Sequence, residues 1–176
     1  MPRSVAFLRA VNVGGRTVTM EALRAAFEAL GFGRVQTFIA SGNVVFDHTA
    51  RNLPALERKI EAHLKDAFGF EIDTFVRSLG EIARIVAHAA FDGSATTEVV
   101  GFLREAPDAA ALKAVQAMST EVDRLLVQGR ELVWTSDHRQ SESVFSNAAF
   151  ERALKMRSTF RGVSTLRKLL GKFPAD

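Results

Sequence analysis

The residues best suited to chemistry form one strand-to-helix loop, Arg9-Ala-Val-Asn12-Val-Gly14-Gly15-Arg16. Two adjacent glycines let backbone N–H groups turn toward one point, and a helix that follows offers its positive end there. Phosphates and carboxylates bind such places. Arg9, Asn12 and Arg16 add further donors. Neither the dinucleotide-binding G-x-G-x-x-G nor the P-loop G-x-x-x-x-G-K-[ST] pattern is present. A tight turn built from residues that tolerate positive φ therefore stays open as the other reading. A second polar and basic stretch, Arg157-Ser-Thr159-Phe-Arg161-Gly162, brings Thr and Arg together, and Ser164 is placed to cap the helix after it. Such a set can also hold phosphate.

Other chemistries find little support. The chain has no cysteine, which removes disulfides, thiolate nucleophiles and Cys-based metal sites together. Ser41-Gly42-Asn43 lacks the glycine flanks of a G-x-S-x-G nucleophile elbow and reads as a hairpin turn. Histidines 48, 63, 88 and 138 show no ligand spacing, so no metal site is expected. No cofactor motif is found. The acidic residues lie mostly on helix surfaces and form no pair suited to acid–base work. No nucleophile or base can be assigned, and whether the chain is an enzyme stays open.

The elements that must position these residues repeat. Ser4–Ala10 reads as a strand, and Thr19 can cap a helix with Met20, Leu23, Phe27 and Leu30 at helical spacing, ended by Gly31. Strands follow over Val35–Ala40 and Val44–Asp47. Asn52 caps a longer helix with Pro54 in its first turn and Leu56, Ile60, Leu64 and Phe68 on one face. Glu71–Arg77 is a fourth strand, and Ser78 with Glu81 fits a capping box. The order β-α-β-β-α-β is the split βαβ of ferredoxin-like folds. After the linker Phe91–Thr97 the pattern restarts, Val100-Gly-Phe102-Leu103-Arg104 echoing Val5-Ala-Phe7-Leu8-Arg9. The fold class expected is α/β (α+β), two tandem ferredoxin-like βαββαβ halves with antiparallel sheets, spanning 1–90 and 98–176. The second half shows no convincing fourth strand. Its tail, Ser164–Phe173, reads as a basic C-terminal helix.

Alternation suggests that Val5, Phe7 and Arg9 share the sheet face away from the helices with Gln36, Phe38, Val44, Phe46, Asp73, Phe75 and Arg77. Phe102, Arg104, Leu132 and Trp134 take the same role in the second half. Aromatic faces edged with arginine either pack against protein or stack nucleic-acid bases. The third strand, Asn43-Val-Val-Phe46-Asp47, lacks the basic-Gly-aromatic pattern of an RNA-recognition motif, and packing is the favoured reading. Charge is uneven as well. Residues 144–176 hold seven basic and two acidic residues, a net +5, which leaves −2 on the remainder of a chain whose total is +3. A basic tail suits an anionic partner or is simply a solvated helix.

The segments Phe7-Leu-Arg-Ala-Val-Asn-Val-Gly-Gly15, Met20 with Leu23, Gly31, and Phe38-Ile-Ala-Ser-Gly-Asn43 together resemble the bacterial domain-of-unknown-function family 1697, over nearly the whole chain. The resemblance implies a tandem ferredoxin-like fold and no established activity. The family's C-terminal stretch is similar to Thr-x-Arg-Asn-Trp-x-Thr. Thr159, Arg161 and Thr165 match it, whereas Gly162 and Val163 replace its Asn and Trp.

The functional expectation is a binder of an anionic, phosphate-bearing ligand. It would use Arg9, Asn12, Gly14, Gly15 and Arg16, joined by Thr159 and Arg161. Single-stranded nucleic-acid binding on an aromatic sheet face is the first alternative, and a structural or dimerising module the second. The chain contains no run of about 18 apolar residues that could span a membrane. It opens on no signal-peptide pattern, so the cytoplasm is the expected compartment, with the protein a monomer or homodimer.

Overall fold

The computed structural model describes residues 1–12, 14–39 and 42–175. Within it the chain divides into two compact units, Met1–Glu81 and Ile82–Ala175.

The first unit begins with β1 (Arg3–Leu8), α1 (Met20–Ala29), β2 (Gly33–Thr37) and β3 (Asn43–Asp47). It continues with α2 (Leu53–Phe68), β4 (Thr74–Ser78) and the start of α3 (Leu79–Val86). The helices start where the sequence places caps. The Thr19 hydroxyl accepts from the Ala22 amide at 3.0 Å, and the Asn52 side chain accepts from Ala55 at 3.0 Å. Each satisfies one of the orphan donors of a first turn. Gly69, at φ +81°, ends α2 with its N–H on the Lys65 carbonyl, a left-handed stop that glycine adopts without a Cβ penalty. The capping box before α3 closes both ways: Ser78 N–H to Glu81 at 2.7 Å and Glu81 N–H to the Ser78 hydroxyl at 3.1 Å.

The strands form an antiparallel sheet in the order β2-β3-β1-β4. This is the split βαβ arrangement of a ferredoxin-like half, each helical crossover skipping one strand. Ala6, Leu8, Val44, Phe46 and Val76 meet Leu23, Phe27, Leu56, Ile60 and Leu64 in one buried core. The strand expected over 35–40 is observed as 33–37; Ala40, and Ser41 of the expected turn, lie outside the described residues.

The second unit carries β5 (Thr97–Leu103), α4 (Ala109–Gln116), β6 (Asp123–Gln128), β7 (Glu131–Ser136), a 3₁₀ turn at Gln140–Glu142, α5 (Asn147–Leu154), β8 (Ser158–Gly162) and α6 (Val163–Lys172). Its sheet order, β6-β7-β5-β8, repeats the first. The fourth strand missing from the sequence pattern is β8. Ser-Thr-Phe-Arg-Gly shows no apolar alternation because it is an edge strand, held by register with β5 from Leu103↔Ser158 to Val99↔Gly162. Gly101 makes room for it, since a Cβ there would lie 2.9 Å from the Phe160 ring. The expected cap of the last helix is also corrected. Gly162 is the N-cap, with no side-chain bond, and Ser164 lies inside α6.

Register also corrects the expected faces. Ala6 pairs with Val44 and Ser4 with Phe46, while Val99 pairs with Trp134 and Gly101 with Leu132. Directly paired residues share a face, so Val44, Phe46, Leu132 and Trp134 point under the helices, where Phe46 and Trp134 are core members. Phe7 pairs with Phe75 and Val5 with Arg77 on the opposite face, and all four are fully buried.

Candidate functional site

The loop leaving β1 is anchored where it starts by two backbone bonds. Leu8 N–H donates to the Gly42 carbonyl at 2.8 Å and Arg9 N–H to the Asp73 carbonyl at 2.9 Å. Between them and α1 the chain turns through left-handed conformations at Ala10 (φ 57°), Asn12 (62°), Gly14 (59°) and Gly15 (81°). The Asn12 Oδ1 accepts from the Val18 amide at 2.7 Å, closing the loop over six residues. Asn tolerates the left-handed region because its short side chain bonds locally in this manner.

Gly14 and Gly15 are exposed, and a Cβ on either would meet nothing within 4 Å. The space a side chain would take at either position is therefore open. Arg16 is exposed as well, its guanidinium 5.3 Å from the centre of the Phe70 ring, a cation–π distance that steadies the side chain without neutralising it. Arg9 is half-buried. The turn between β2 and β3 lies at the same end of the sheet, since Phe7 pairs with Asn43. It adds two more left-handed residues, Ile39 (φ 55°) and Gly42 (81°). A β-branched residue at positive φ is rare, and such residues cluster where function over-determines the backbone. Asn43, buried, fixes this turn by donating Nδ2–H to the Phe38 carbonyl at 2.9 Å.

Thr159 and Arg161 lie in the second unit, on β8, and are brought together there. Arg161 Nη1 donates to the Thr159 hydroxyl at 2.7 Å and to the Phe160 carbonyl at 2.9 Å. Burial pushes its guanidinium down to about 10, still charged at neutral pH. Thr159 is buried. The cleft beside the end of β8, 260 Å³ and lined by Gly162 and Ser164, includes Glu98 in its wall.

The aromatic rings proposed for base stacking are not presented to solvent. Phe7 and Phe46 are both 0% exposed.

A family model described as "Protein of unknown function (DUF1697)" matches residues 1–133. The chain belongs to the DUF1697 family. The matched span contains Arg9 to Arg16 and the turn before β3; Thr159, Arg161 and Thr165 fall outside it. The conserved bacterial protein SP0830 from Streptococcus pneumoniae, a solved structure, is 22% identical with a TM-score of 0.74 over 98% of each chain. It shares the tandem fold of this DUF1697 protein. No curated protein matches the chain.

One feature near the other end of the first sheet escaped the spacing argument. His48 follows β3 and packs its ring 5.5 Å from that of Phe46. Alternation puts His48 on the same face as Phe46, and only the pairing of β3 with β1 shows that face to be the one under the helices; a search for metal-ligand spacing ignores a single histidine.

Proposed function

We propose that this DUF1697 protein binds an anionic, phosphate-bearing ligand at the loop 9–16. The observation that supports the reading is the pair Gly14-Gly15, both left-handed, both exposed, with open space where side chains would stand and an arginine on either side. Arg16 and Arg9 supply positive charge, the glycine amides supply directional donors, and Asn12 holds the loop in shape through Val18. Charge-assisted bonds of this kind are about twice as strong as neutral ones. The reading uses residues of the first unit alone.

A thermal-shift series with inorganic phosphate, sugar phosphates and nucleotides tests it. A ligand at about 100 times its dissociation constant adds roughly 2.7 kcal/mol of stability. The shift should disappear in Arg16→Ala, whose exposed side chain can be lost without disturbing the core. An undiminished shift in Arg16→Ala and Arg9→Ala would refute the site.

A further inference from the structure

At the opposite end of the first sheet lies a cavity of 410 Å³, within the range of small-molecule sites. Leu30, Phe32 and Leu56 form an apolar wall, while Arg51 and Lys59, both exposed, border it. None of the described residues lining it is acidic. Lys59 Nζ stands 6.0 Å from the centre of the Phe32 ring. The N-terminus of α2 opens here too, with no acidic residue in its first turn, which leaves the positive end of the helix dipole uncompensated. The floor contains His48, 4% exposed. Its Nε2 is hydrogen-bonded to the buried Ser4 hydroxyl at 2.9 Å. Its Nδ1 is buried without a hydrogen bond. Buried polar atoms are nearly always partnered, and one left over beside a cavity invites a ligand atom to complete it.

The geometry points to a second site, one that takes a small amphipathic anion: a compact apolar or aromatic body against Leu30, Phe32 and Leu56, its carboxylate or phosphate head toward Lys59 and Arg51, and a head-group oxygen on His48. In the tautomer in which Ser4 donates to Nε2, the imidazole proton lies on Nδ1 and is offered to the anion. The site is separate from the glycine loop, because Arg3 and Asp47 pair at this end of the sheet and Phe7 and Asn43 at the other.

The test is a nuclear magnetic resonance titration of the full chain, labelled in its histidines. Phenyl phosphate and benzoate distinguish the two head groups, and benzyl alcohol is the neutral control. A saturable shift of the His48 imidazole with at least one anion and none with the alcohol is expected. Affinity should fall about tenfold in Lys59→Glu, where attraction becomes repulsion, and stay unchanged in Arg16→Ala, which separates this site from the loop. Equal binding of benzyl alcohol, indifference to Lys59→Glu, or the absence of a saturable His48 shift would each overturn it.

Discussion

Gly42 and Gly15 have the same φ of 81° but different surroundings. A Cβ on Gly42 would lie 3.0 Å from the Leu8 Cβ and 3.2 Å from the Leu8 carbonyl oxygen, while one on Gly15 meets nothing. Left-handed strain costs an L-residue about 1–2 kcal/mol, and overpacking adds about 1–3 kcal/mol. Gly15→Ala should therefore cost about 1–2 kcal/mol and Gly42→Ala about 2–5 kcal/mol, read as shifts in urea midpoint. Equal costs would mean that the turn before β3 relaxes freely away from β1. At this scale the sequence was informative about type and silent about partners. Adjacent glycines in a loop announce unusual backbone angles. The role of Asn12 did not show, because its acceptor oxygen meets an amide six residues away only once the loop has taken its path.

Edge strands need their outward amides satisfied, or they recruit other chains. In the first half α2 supplies the answer. Glu57 accepts from Val76 N–H at 2.9 Å and Glu61 from Thr74 N–H at 3.3 Å. Glu151 of α5 accepts from Ser158 N–H at 3.0 Å and does the same for β8. Glu57 also faces Arg77 at 3.6 Å, both fully buried. Removing one member of a buried pair costs about 3–5 kcal/mol, since the other charge stays behind. Glu57→Ala should lose stability in that range by chemical denaturation. Glu61→Ala, which removes one long bond, should lose about 1 kcal/mol. A similar loss in the two variants would show that edge protection, not the ion pair, is what Glu57 provides. Elements whose signals are local, such as the caps at Thr19, Asn52 and Ser78, were legible. β8 was not, because its stability comes from Glu151, Gly101 and the β5 register. The faces of Phe46 and Trp134 were misread for a related reason: alternation orders residues within a strand, and only pairing says which set faces the helices.

At the scale of the whole molecule, two buried groups with displaced pKa values, His48 in the first unit and Asp123 in the second, contribute to the response to acid. Burial lowers the pKa of His48 below 6.5, against smaller opposing effects from the Ala50 backbone and the charge of Asp47, while Ser4, Arg51 and Lys59 complete its surroundings. The unfolded chain then takes up a proton more readily than the native one, so the stability is full above 6.5 and declines as pH falls below it. Asp123 behaves differently. Burial would raise its pKa, but donors from Ser143, Ser136 and Trp134 outweigh that and hold it below 3.8. Its contribution is present above 3.8 and is lost as pH falls through its lower native value. Trp134, the one tryptophan, donates its indole N–H to Asp123 at 3.0 Å and reports on the second unit. Hydrogen exchange at the β1 and β3 amides, corrected for intrinsic rate, should quicken as pH falls below 6.5 and lose that dependence in His48→Asn. Trp134 emission should hold steady over that interval and change only below 3.8, with no such step in Asp123→Asn. An emission change that tracked His48 instead would mean that acid loosens both units through one group.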